Sequence, residues 1–214
     1  KKLAEQTLEL FAEETGNPVS IFRLPGVFGK WCKPNYNSVV ATFCHNIARD
    51  IPIQISDSKI NMDLVYIDDV VNIFIDKLFH MNQGVEWSQV DPIYNLTLGE
   101  LVEQIRCFDE CRTSLISERV GKGMVRALYS TYISHLPKKN FVYNLPSYSD
   151  ERGMFVEMLK THDSGQFSYF TINLGVTRGA HYHHTKTEKF LTVKGTVRMR
   201  FRRLSDGEHF EVVV

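Results

Sequence analysis

The sequence predicts an α/β portion followed by an all-β portion. Three observations carry this. Helical and β-branched apolar segments alternate over about the first hundred residues; from about Phe141 short alternating segments parted by Gly, Asp, Ser and Asn turns replace them; and 43% of the 214 residues are apolar, enough for one large domain or two modest ones. The expected division is residues 1–112 as the first domain, 113–138 as a connection and 139–214 as the second, with the boundary near Leu136 to Asn140.

Leu3, Ala4, Leu8 and Phe11, with Thr7 and Leu10, form a helical stripe that stops at Gly16, and Pro18 lies beyond it. "VSIFRL" is apolar and β-branched, which predicts a buried strand. "NSVVATFCHNIARD" repeats Val39, Val40, Phe43 and Ile47 at helical spacing, and "IPIQI" reads as a short strand. "DLVYIDD" leads into a third helix through Val70, Val71, Phe74, Ile75 and Leu78, and Thr97 with Glu100 forms a capping box before "LVEQIRCF". Residues 112–140 mix helical and Pro-containing sequence. "MFVEMLKT", "QFSYFTINLG", "AHYHH", "KFLTVKGTVRMRFRRL" and "HFEVVV" then follow as antiparallel strands.

Lys+Arg and Asp+Glu both number 25, so nothing offers a polycationic surface for phosphate backbones, and nucleic acid is not an expected partner. No apolar run approaches the ~20 residues of a membrane span and no signal pattern opens the chain. Cys32, Cys44, Cys107 and Cys111 read as reduced thiols of a cytoplasmic protein. The chain starts inside an amphipathic helix with no capping residue and stops in mid-strand, which predicts an internal stretch of a longer protein with both domains incomplete.

"GVTRGAHYHHTKTEKFLTVKG" places three histidines within four residues. On a strand, positions i and i+2 face alike, so His181 and His183 project together, away from Tyr182 and His184. A turn over residues 184–187 would let hairpin pairing bring the Glu188 carboxylate beside both rings. Two imidazoles and a carboxylate suit Zn²⁺, Fe²⁺, Mn²⁺, Ni²⁺ or Cu²⁺; the alternative is a solvated polar turn. The order Gly175, His181, His183, Glu188, Gly195 resembles the first motif of the cupin superfamily. That resemblance implies a small β-barrel with His181, His183 and Glu188 as metal ligands. The remaining histidines, among them His45 and His135, are assigned no role.

"SIFRLPGVFG" sets Arg23, Pro25, Gly26 and Gly29 just after a strand, where an open α/β sheet has its ligand crevice. Asp68 and Asp69 read as helix-capping carboxylates. In order, these pieces resemble the second half of a Rossmann-like extended short-chain dehydrogenase/reductase. The resemblance implies Lys1, with Lys2 as its rival, as the lysine that contacts the nicotinamide ribose. It also implies that Pro25 lines the nicotinamide pocket and that Arg23, Lys30, Asn35 and Asn37 seat a nucleotide-sugar.

A reductase-type segment followed by a cupin, with "FGKWCKPNYNSVVATFCHNIARD" in one and "GVTRGAHYHHTKTEKFL" in the other, resembles the bifunctional CapF family of capsular polysaccharide enzymes and their O-antigen relatives. The resemblance implies NADPH and a divalent metal, zinc first, as cofactors, a UDP-sugar as substrate and a homodimer as assembly. It implies a route to UDP-N-acetyl-L-fucosamine: epimerisation at the third carbon of a UDP-4-keto sugar, then reduction of the ketone. The rival expectation is a non-catalytic metal- or sugar-binding cupin beside a reductase.

Overall fold

The structure is a computed structural model that describes all 214 residues. The chain divides into two compact units, Lys1–Asn173 and Leu174–Val214. In the first, helix α1 (Lys2–Thr15) ends at Gly16, whose φ of 70° returns its N–H to the Ala12 carbonyl. Strand β1 (Val19–Phe22) pairs in parallel with β4 (Val85–Ser88). Strand β2 (Gly26–Phe28) pairs in parallel with β3 (Asn61–Tyr66), and β5 (Tyr94–Thr97) closes the other edge of β3 antiparallel.

Helix α2 (Val39–Ile47) is capped by the Ser38 hydroxyl, and α3 (Ile67–Phe79) follows β3 directly. Helix α4 (Leu98–Ser114) begins with the expected capping box: the Thr97 hydroxyl accepts the Glu100 N–H while the Glu100 carboxylate accepts the Thr97 N–H. The main core gathers Phe28, Val40, Phe43, Leu101, Ile105 and Phe108 from β2, α2 and α4. "IPIQI" forms no strand. Pro52 lacks the ladder donor, and Ile53 and Ile55 bury themselves by packing directly on the core.

The stretch expected as a connection is part of that core. Helix α5 (Gly123–His135) buries Ala127, Leu128, Thr131 and Tyr132 against α2 and α4, and the Tyr132 hydroxyl donates to Asp109 Oδ1 at 2.6 Å. Strand β6 (Ile116–Ser117) pairs in parallel with the end of β8 (Gly153–Thr161). β8 also pairs antiparallel with β7 (Ser147–Asp150) and β9 (Gln166–Phe170). The first all-β segments therefore share a compact unit with the helices, and that unit ends at Asn173.

The second unit holds one antiparallel hairpin, β10 (Arg198–Arg202) with β11 (His209–Val213), whose Phe201 and Phe210 rings stack at 4.7 Å. No closed barrel forms. Residues 171–197, including "AHYHH", contain no strand, because their alternating pattern has no ladder partner and no facing layer to bury it. No helix is long and apolar enough to cross a membrane.

Candidate functional site

The parallel pairing of β2 and β3, with Phe28 opposite Tyr66, places the residues that follow each strand side by side. Gly29 makes the approach possible: a Cβ there would overlap the Ile67 side chain. Across this junction Lys30 Nζ donates to Asp68 Oδ2 at 2.8 Å and lies 5.6 Å from the Tyr66 ring centroid. The hydrogen bond to Asp68, then that to Tyr66, pushes the Lys30 ammonium further up, so it stays charged at neutral pH. Burial, then the neighbouring Asp68, pushes the Asp69 carboxyl up.

The capping role expected of these two aspartates is not what the geometry gives. Tyr66 is the cap residue of α3 and no side-chain cap bond is made. Both acids lie in the first turn, where the helix dipole favours them, but the Asp68 carboxylate is directed to Lys30.

The polar loop from Lys30 to Asn37 is fixed at two points. Trp31 N–H donates to the Ser134 hydroxyl of α5 at 3.1 Å, and Asn35 N–H donates to Thr42 Oγ1 of α2 at 2.9 Å. Asn35 and Asn37 are exposed beside this loop. Arg23 has different neighbours: its guanidinium forms a two-pronged pair with Glu5, both contacts at 2.9 Å, and lies 4.6 Å from the Trp87 ring centroid. The Arg23 hydrogen bond holds the Glu5 carboxyl below its ordinary range. Lys1 is exposed at the start of α1, with its carbonyl accepting the Glu5 N–H, and Pro25 is half-buried between β1 and β2. Tyr66, Asp68 and Ser134 were not singled out from sequence as partners, because only strand register and the packing of α5 bring them to Lys30 and Trp31.

The second candidate site lies within Leu174–Val214. Here no strand carries the histidines, yet i and i+2 still lie together: the His181 and His183 ring centroids are 5.0 Å apart, and those of Tyr182 and His184 are 5.1 Å apart. Glu188 reaches the pair without a hairpin, with Oε1 3.6 Å from His183 Nε2. Gly175 and Gly195 sit at φ 78° and 89°, the left-handed turns that bound the segment. Lys186 Nζ is 2.8 Å from Glu188 Oε1, and this contact is the main reason the Glu188 carboxyl lies below its ordinary range.

One ligand atom from each of His181, His183 and Glu188 lies within 4.8 Å of the other two. Ligand atoms on a tetrahedral zinc are ~3.3 Å apart. The donor types therefore fit a divalent ion, which would draw the three ligand atoms closer together.

Residues 1–96 match the family model described as NAD dependent epimerase/dehydratase family, and residues 148–214 match the polysaccharide biosynthesis C-terminal domain. A Pseudomonas aeruginosa protein named UDP-2-acetamido-2,6-beta-L-arabino-hexul-4-ose reductase is 56% identical over 212 residues, which are 99% of this chain and 57% of that protein. The crystal structure of the capsular polysaccharide assembling protein CapF from Staphylococcus aureus superposes with a TM-score of 0.88 at 43% identity, covering 98% of this chain and 57% of that one. A UDP-glucose 4-epimerase from Thermotoga maritima shares the fold over 63% of this chain and 51% of its own, with a TM-score of 0.52 at 21% identity. The chain thus spans less than two thirds of the relatives it matches.

Proposed function

We propose, taking residues 1–96 as an NAD dependent epimerase/dehydratase segment and 148–214 as a polysaccharide biosynthesis C-terminal domain, that this chain is part of a CapF-like nucleotide-sugar reductase and epimerase. The observation that carries the proposal is the Lys30–Asp68 pair and its polar loop at the carboxyl ends of parallel β2 and β3, the edge where open α/β sheets bind ligands. The name of the 56% identical relative supports a UDP-4-keto-2-acetamido-2,6-dideoxyhexose as substrate, and that of the capsular polysaccharide assembling protein supports capsule synthesis as the setting; the UDP-N-acetyl-L-fucosamine route is part of the proposal.

In this proposal Lys30, kept charged and in place by Asp68, faces the diphosphate of the nucleotide-sugar, and the Asn35 and Asn37 amides donate to its oxygens. Lys1 contacts the nicotinamide ribose and Pro25 lines the nicotinamide pocket. Arg23, tied to Glu5, orders the strand end rather than contacting substrate directly. NADPH, when bound, supplies the hydride for the fourth-carbon ketone.

The His181, His183 and Glu188 side chains would hold a divalent ion, with zinc the first candidate, in the domain that epimerises the third carbon. Such an ion supplies Lewis-acid polarisation of the adjacent carbonyl, which acidifies the third-carbon proton. The two histidines ligate in their neutral form and Glu188 as its carboxylate. The proposed assembly is a homodimer.

The test follows the third-carbon proton by NMR in D₂O, with the protein carrying this chain and the UDP-4-keto sugar. Exchange that disappears in His183→Ala, while reduction of the 4-keto sugar already epimerised at its third carbon persists, supports the division of labour. Unchanged exchange in that variant makes the cupin-like segment a non-catalytic binding module.

A further inference from the structure

The loop between β2 and α2 carries a feature that the roles given to Lys30, Asn35 and Asn37 leave unexplained. Two of its non-glycine residues, Trp31 at φ 60° and Asn35 at φ 54°, hold left-handed backbone conformations. Asparagine tolerates that region; a tryptophan there is an outlier that the surroundings must impose. The surroundings do so through hydroxyls. Ser134 Oγ, itself donating to the Thr131 carbonyl at 2.7 Å, accepts the Trp31 N–H, and Thr42 Oγ1, donating to the Ser38 carbonyl at 2.8 Å, accepts the Asn35 N–H.

This anchoring holds large rings out of the core. Trp31 is 80% exposed and Tyr36 is 71% exposed. Leaving an indole in water forgoes the stabilisation its burial would bring, so a strained backbone that keeps it outside suits a ring that meets a partner. Each ring also has a cation near it: Lys30 Nζ lies 5.8 Å from the Trp31 centroid and Lys33 Nζ 5.5 Å from that of Tyr36. A flat apolar ring beside an ammonium group matches a planar base linked to a diphosphate: Lys30 already has Asp68 as its counter-charge, and an anionic ligand would bring one to Lys33, which a neutral carbohydrate would not.

We propose that Trp31 is the base-stacking residue of this site, receiving the uracil of the nucleotide-sugar on its exposed indole, with Ser134 of α5 as the residue that positions it. This deepens the nucleotide-sugar role proposed above and rests on it.

The test uses the emission of Trp31 in the Trp87→Phe chain, where it is the sole tryptophan, during titration with uridine diphosphate and, separately, with inorganic pyrophosphate. Uridine diphosphate should quench the emission saturably while pyrophosphate leaves it unchanged. By calorimetry Trp31→Ala should weaken uridine diphosphate about tenfold, within the range found when aromatic residues that stack on bases are replaced by alanine, and Trp31→Phe should stay within about threefold of the parent.

If uridine diphosphate binds with the same affinity to Trp31→Ala and leaves the emission unchanged, the stacking role fails and the nucleotide-sugar site stands. Equal quenching by pyrophosphate also sinks it, because the lysines rather than the indole would then be the contact. No binding of uridine diphosphate to the parent chain overturns both.

Discussion

Leu128→Ala tests whether α5 is core or connection. Leu128 is 0% exposed and sits in the cluster formed with α2 and α4. The substitution removes three carbons, about 2.4 kcal/mol at about 0.8 per buried methylene. The cavity left between three helices, which cannot collapse freely, raises the expected loss to about 3–4 kcal/mol, inside the range for buried Leu→Ala changes. All five helices lie in Lys1–Asn173, so far-UV circular dichroism during urea unfolding reports that unit. The expected result is a lower midpoint with an unchanged slope. Arg126→Ala, at an exposed position of the same helix, should stay within about 0.5 kcal/mol. A Leu128→Ala loss below about 1 kcal/mol would refute the placement of α5 in the core.

Thr97→Ala removes one half of the capping box and should cost about 1 kcal/mol in the same unfolding measurement, with the loss localised by hydrogen exchange to the first turn of α4. A pH effect should arise at the end of α5. The His135 side chain is 7% exposed with no partner for Nε2, its ring faces His45 of α2 at 6.2 Å, and Arg49 donates to its carbonyl at 2.7 Å. Burial first, then the charges of His45 and Arg49, lowers its pKa in the folded chain from the ordinary 6.5. Below pH 6.5 the unfolded chain therefore takes the proton first, so stability is full above that pH and falls as the pH drops toward the lowered value. His135→Gln should flatten this part of the melting temperature against pH, and an equally steep decline in the variant would remove His135 as its source.

Local signals in the sequence reached the structure where neighbouring residues decide the outcome. Gly16 stops α1, Thr97 and Glu100 cap α4, and the apolar spacing from Val39 to Ile47 makes α2. His181, His183 and Glu188 lie close together, although the strand and hairpin expected to bring them there are absent. What failed depended on distant partners. "AHYHH" alternates as a strand would, but strand formation needs a ladder that the rest of the unit does not present. "IPIQI" half-buries Ile53 and Ile55 on the core without pairing. The segment 113–138 read as a connection because it mixes helical and Pro-containing sequence, and the burial of its helix comes from two other helices. Lys30 was legible as a polar loop residue, whereas Asp68 as its partner depends on the register of β2 against β3.

The most direct test of the central proposal is NADPH oxidation by the protein carrying this chain when a UDP-4-keto-2-acetamido-2,6-dideoxyhexose is added. Turnover that depends on the sugar, and that falls at least tenfold in Lys30→Ala with most of the change in KM, is the expected result. NADPH that remains unoxidised in the presence of that sugar, or a Lys30→Ala variant that turns over like the parent, would contradict it.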